Sequence, residues 1–237
     1  GHGVHMQRGS LRLLACDITS AAGAGVLVSA GSTAQIIRCE LRAAAFQGLF
    51  ASGKANVSAA HCDVHSNGAA GIEARGGALV TLHGCRIAHN GKSGAFVHSF
   101  GRLRVERCEI SNNAYAGVEV GARGIADVSE CHLLRGCKGG VLVLSGGEAR
   151  VLRSQLEENA LAHISVREYG HCTVSDCYIA RGGASGIHVS EGGRASVQGC
   201  TIAHNRAFAI EVQGGDVEEA GNWLEGNRRG SVVIESQ

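Results

Sequence analysis

Residues 186–205 read G-I-H-V-S-E-G-G-R-A-S-V-Q-G-C-T-I-A-H-N. Ile187 and Val189 are two apart, as are Ala195 and Val197, and as are Cys200 and Ile202. Spacing of two is strand periodicity, and a Gly-Gly pair separates the first strand from the second. The stretch is one unit of a repeat. Cys16, Cys39, Cys62, Cys85, Cys108 and Cys131 stand 23 residues apart, Ser154, Cys177 and Cys200 keep the step, and Asn222 closes it one residue short. A fixed period in this range marks a solenoid, whose units cannot bury their apolar faces alone.

Counting from this comb residue, position +2 holds Ile18, Leu41, Val64, Ile87, Ile110, Leu133, Leu156, Ile179 and Ile202. Positions +10, +12 and −3 are equally apolar, with Val120 an example at +12. Position +9 is mostly Gly, and +5 carries Asn67, Asn90, Asn113, Asn159 and Asn205, with Asn227 matching in the shorter last unit. Asn suits left-handed corners and can bond along a stack. Three short strands per 23 residues exclude helical repeats. The predicted fold is all-β: a single-stranded right-handed parallel β-helix of about ten coils, its handedness following that of parallel crossovers. Residues 1–237 are expected to form one continuous domain, a piece of a longer chain. Both ends stop in mid-coil, and their open strand edges invite self-association.

The chain has 237 residues, 36 Gly, no Pro and a formal net charge of +1. Such a balance gives no field toward nucleic acid or anionic membrane, and no apolar run is long enough to span a bilayer. Ten cysteines could form disulfides, but eight in one inward register read as small buried apolar groups. That favours reduced thiols and a cytoplasmic or nuclear protein. Cys137 lies off the comb in a turn and Cys172 in an inward slot, so the first is expected to be accessible and the second core.

The pattern G-I-x-V, then G-G, then x-V-x-x-C-x-I-x-x-N resembles the parallel β-helix repeats of the pectate-lyase-like superfamily. That group includes carbohydrate-binding proteins, sugar hydrolases and intracellular adaptors. The endings at 85–90, 108–113 and 200–205 are similar to those in the β-helices of F-box substrate receptors and Shc-binding, spindle-associated proteins. The resemblance implies the fold. For function it implies either a recognition domain or a carbohydrate-active protein.

Two outward columns compete for that function. Position +11 holds Leu27, Phe50, Glu73, Phe96, Glu119, Leu142, Ser165, His188 and Glu211. Leu27, Phe50, Phe96 and Leu142 read as an interrupted apolar stripe with Arg75 and His98 beside it, and exposed stripes of this kind are often interaction sites. The first expectation is therefore a non-catalytic scaffold for a protein or peptide partner, not an enzyme, using no cofactor. Position +1 begins Asp17, Glu40, Asp63. Carboxylates one strand spacing apart suit a retaining glycosidase pair or Ca²⁺, and a polysaccharide-binding or -cleaving protein using them is the second expectation. Against it stand nearby Arg38, Arg42 and Arg86 and an aromatic content of only 4%. A third expectation is a structural element that assembles through its open ends. No metal site is expected: Cys62 should point inward and His61 and His65 outward, so they do not converge. Arg104, Arg107, Arg150 and Arg153 flank Asp127 and Glu130 and should form a surface ion-pair lattice.

Overall fold

The computed structural model describes residues 1–235. Each coil contributes one strand to each of three parallel sheets of 11, 10 and 10 strands. In a middle coil these are Ile72–Ala74 in sheet A, Leu79–His83 in sheet B and Arg86–Ala88 in sheet C. Every strand except the first and last of each sheet pairs with its equivalents one coil before and after; Glu73, for example, lies between Phe50 and Phe96. The predicted parallel β-helix is the observed fold.

Registration by whole coils stacks like on like. Val57 and Val80 in one column, Ile87 and Ile110 in another, and Leu82 and Val97 in two more are all fully buried. Val120 is fully buried while Glu119, next to it, faces the other way. The turns need left-handed residues at the same places in each coil. The corner between sheets B and C takes a single one: Arg38, His61, Arg107, Glu130, Arg153 and Asp176 all have φ between 45° and 54°. Such corners are strained for L-residues; the ladders on either side hold them.

The comb residues do more than fill space. The Cys62 thiol donates to the carbonyl of Ala60, Cys108 to Glu106 and Cys131 to Ser129. The same sulfur accepts the amide of the comb residue one coil earlier, as Cys108 does from Cys85 at 3.3 Å. Ser154 performs both tasks, donating to Leu152 and accepting from Cys131, and Asn222 accepts from Cys200. A side chain that satisfies otherwise orphaned backbone groups is required here, which is why Ser and Asn can replace Cys and a purely apolar residue does not. All ten cysteines are free; Cys137 is exposed and Cys172 buried, both as expected. Burial pushes the Cys172 thiol up to about 12.

The Asn column is a second ladder. Asn67 donates through Nδ2 to Asn90 Oδ1 at 2.9 Å and Asn90 to Asn113 at 3.0 Å. The ladder position at 182 is Gly, and His163 from the preceding coil takes the rung. Its Nδ1 accepts from Asn159 Nδ2 at 2.7 Å and its Nε2 reaches Asn205 Oδ1 at 3.1 Å. A Cβ on Gly182 would stand 2.5 Å from that Nε2. His163 is wholly buried, and desolvation lowers its pKa to about 4.

Candidate functional site

The two outward columns differ from their sequence reading in opposite ways. Asp17, Glu40 and Asp63 do share one face of sheet C in direct register. Each is tied to a base. Arg42 bonds Asp17 and lies 3.2 Å from Glu40, His65 Nε2 reaches Glu40 at 2.9 Å, and Arg86 Nη1 binds both oxygens of Asp63 at 2.9 Å. Their side chains are 40–50% exposed. Exposed, neutralised carboxylates of this kind are a solvated lattice. Half of the expected arginine lattice behaves the same way: Glu130 lies between Arg107 and Arg153, which hold its carboxyl below the usual range, whereas Asp127 shares a register with Arg104 and Arg150 without an ion pair to either.

The apolar stripe is not an open surface. Leu27 and Leu142 are buried at 9% and 4% exposure. Phe50 and Phe96 are half-buried. The Arg75 guanidinium sits 4.7 Å over the Phe50 ring, and His98 stacks on Phe96 at 4.4 Å with an interplanar angle of 19°. The expected polar flank is thus a lid. The reason lies in the turns: residues 91–93 and 114–115 rise beside sheet A, so its outer face forms the floor of a trough and not a flat platform.

The trough forms a pocket over three coils. There Glu73, Phe96 and Glu119 lie on successive rungs, walled by Gln47, Lys92, Ser93 and Tyr115 around about 380 Å³. Glu73 is only 9% exposed. Its Oε2 accepts from Gln47 Nε2 at 2.6 Å, and its Oε1 faces His98 Nε2 at 3.3 Å and Arg75 Nε at 3.9 Å. Glu119 accepts from Ser93 Oγ at 2.6 Å. Burial raises the Glu119 pKa, opposed by that hydrogen bond and by the charges of His98, Lys92 and Arg167. Two rungs separate the carboxylates, about 10 Å along the axis, with an aromatic face between them. One clue in the sequence could have singled these out: each outward Glu of the column has a polar donor 26 residues earlier, Gln47 for Glu73, Ser93 for Glu119 and Ser185 for Glu211.

The family described as "Right handed beta helix region" matches residues 2–156 and 116–237. The chain belongs to that family. No curated protein matches. Among solved structures, the periplasmic alginate epimerase AlgG superposes with a TM-score of 0.64 at 13% identity, over 93% of this chain and 63% of its own. The present chain therefore spans less than two thirds of that relative. The Azotobacter vinelandii mannuronan C-5 epimerase AlgE4 A-module superposes with a TM-score of 0.52 at 12% identity, over 96% of this chain and 91% of its own. The catalytic unit of a GH87 α-1,3-glucanase from Streptomyces thermodiastaticus strain HF3-3 gives 0.54 at 14% identity, over 88% and 51%. At such identity the likeness shows the fold.

Two expectations are corrected at this point. The non-catalytic protein-binding scaffold, and with it the expectation that the chain is no enzyme, is overturned by neighbours that are epimerases and a glucanase. The geometry agrees with the correction, because the stripe that carried the scaffold reading is covered by Arg75 and His98.

Proposed function

We propose that the chain binds a polysaccharide in the trough of sheet A and cleaves it by acid–base chemistry, with Glu119 as the acid and Glu73 as the base. The observation that carries this is a buried Glu73 and a half-buried Glu119 on alternate rungs with Phe96 between them. A carboxyl whose proton is retained by desolvation can protonate a leaving glycosidic oxygen. Glu73, facing Arg75 and His98, can accept a proton from water. The backbone spacing of about 10 Å is nearer the carboxyl separation of about 6.5–9.5 Å kept by inverting glycosidases, which leaves room for that water, than the roughly 5–5.5 Å of retaining ones. Tyr115 and the part of Phe96 that His98 leaves uncovered line the trough where a sugar ring would sit. The relatives' names make alginate and α-1,3-glucan the first substrates to offer.

The finer resemblance to F-box receptors and Shc-binding proteins rests on repeat endings that set corners and adds nothing to this reading. The unbroken sheets support treating the described residues, 1–235, as one domain; the last two residues of the expected span lie outside them. The test is to incubate wild type and Glu119→Gln with alginate and α-1,3-glucan, following new reducing ends and anomeric configuration. Cleavage with inversion in wild type alone is expected. Equal activity in both proteins, or binding and turnover of neither polymer, sinks the proposal; C-5 inversion without chain cleavage would refute hydrolysis.

A further inference from the structure

The turns that leave the inner strands of sheet A, from Val26–Val28 to Ile187–Ser190, pass through two successive left-handed residues. The pairs include Ser99 and Phe100 (φ 50° and 64°), Ala122 and Arg123 (43° and 61°), and Glu168 and Tyr169 (52° and 59°). At the second place the remaining coils use Gly31, Gly77, Gly146 and Gly192, and one uses Lys54, all at positive φ. A bulky ring in this corner is an outlier that glycine would avoid, and strain of this kind concentrates at functional sites. Phe100 is 62% exposed and Tyr169 80%. The sequence thus accepts backbone strain and bare aromatic surface together, twice in one column.

Their surroundings share a pattern. The Arg123 guanidinium lies 5.5 Å from the Phe100 ring centroid, one coil on. The Tyr169 ring rests over Gly192, where a Cβ would come within 2.7 Å of it. Between the two rings Gly146 leaves open space. Phe100 and Tyr169 are three coils apart, about 14 Å along the axis. They stand on the turns after strands Ala95–Val97 and Ile164–Val166, and the first of these strands carries Phe96 into the trough. Away from the first and last coils, the exposed large apolar side chains are Phe46, Phe100, Leu161 and Tyr169. All four sit on turns flanking sheet A.

We propose that Phe100, Arg123 and Tyr169 form a glycan-binding ridge that holds an extended polysaccharide chain parallel to the helix axis, beside the trough. This rests on reading the trough as a polysaccharide site. Sugar C–H faces stack on flat rings, and Arg123 donates to hydroxyl or carboxylate oxygens. Gly146 gives the polymer clearance between the platforms. Protein partners favour a clustered apolar centre; two rings separated by glycine and charge suit a polymer with a repeating face.

The test uses Phe100→Asn/Tyr169→Asn, since Asn accommodates the left-handed corner, and Phe96→Ala as the trough variant. Calorimetry with long chains and short oligosaccharides of alginate and α-1,3-glucan reads both. Expected for the ridge variant is a loss of long-chain affinity of about tenfold or more, unchanged short-chain affinity and an undiminished melting temperature. Wild-type long-chain affinity in the ridge variant overturns the ridge, and the trough stands if Phe96→Ala weakens short-chain binding. Loss of long-chain binding in the ridge variant alone, with Phe96→Ala silent, supports the ridge and removes the trough. No binding of either length by wild type overturns both.

Discussion

Two stacked carboxylate columns run along this molecule, and only one has the makings of a site. On sheet C, Asp17, Glu40 and Asp63 each meet a base within one or two coils and remain wetted. On sheet A, Glu73 and Glu119 are separated by Phe96 and sunk between turns. The residue type is nearly the same. What differs is the rung between and the height of the walls. A carboxylate with a guanidinium in register is a surface ion pair of little consequence; Glu119, with an aromatic ring in register and walls beside it, has its pKa raised by desolvation.

The contrast can be broken most severely by removing the acid. Glu119→Gln should lower the cleavage rate by about 10²–10⁴ without loss of folded structure by circular dichroism, whereas Glu40→Gln should leave the rate unchanged. Because burial raises the Glu119 pKa, the acid form persists to higher pH than in an ordinary glutamate. The wild-type rate should then fall as pH rises through that value. A profile whose alkaline limb stays put in Ser93→Ala, which strips a hydrogen bond that lowers the pKa, would argue against Glu119 as the acid.

A sharper form converts one column into the other. On sheet C, Arg86 stands between Asp63 and Glu109. Phe96→Arg would place a guanidinium between Glu73 and Glu119 in the same way. Activity and oligosaccharide affinity should both drop by at least about tenfold, while the thermal midpoint stays near wild type. If catalysis survives, the ring is not what separates the columns.

The interior obeys the same rule of the neighbouring rung. Gly182→Asn should destabilise the fold by about 1–3 kcal/mol through overpacking against His163, and His163→Ala in the same chain should restore most of it by completing the Asn ladder. The folded His163 pKa is depressed to about 4 from an ordinary 6.5. Its contribution to stability is therefore present above about 6.5 and lost as pH falls toward 4, on the order of 3 kcal/mol in all. Denaturant midpoints across that window should decline in wild type and flatten in the rescued double variant.

The smallest effect belongs to the surface lattice. The triple change Asp17→Asn, Glu40→Gln and Asp63→Asn should shift melting within experimental scatter and leave turnover unaltered. A clear loss of activity would move the site to sheet C.

The fold was legible because the inward positions repeat without exception at +2, +10 and +12, and each error in register would expose a whole column. The site was not, for a physical reason. Outward residues of a β-helix are buried or bare according to turn height, and the turns carrying Lys92, Ser93 and Tyr115 show no insertion that announces a wall. Leu27 and Leu142 read as exposed for that reason. Arg75 and His98 were correctly placed beside the stripe, but adjacency in sequence does not reveal that they fold over Phe50 and Phe96. The comb was legible as a column and misjudged as chemistry: its requirement is a group that donates and accepts, which Cys, Ser and Asn share.

The left-handed corners at Arg38, His61, Arg107, Glu130 and Arg153 bear on how the molecule comes apart. A corner is held by ladders on both sides, so an interior coil has two neighbours opposing its relaxation and a terminal coil of any stack has one. Melting should then travel as a front along the axis, one 23-residue step at a time, and hydrogen exchange should report protection graded by distance from the ends rather than by depth from the surface.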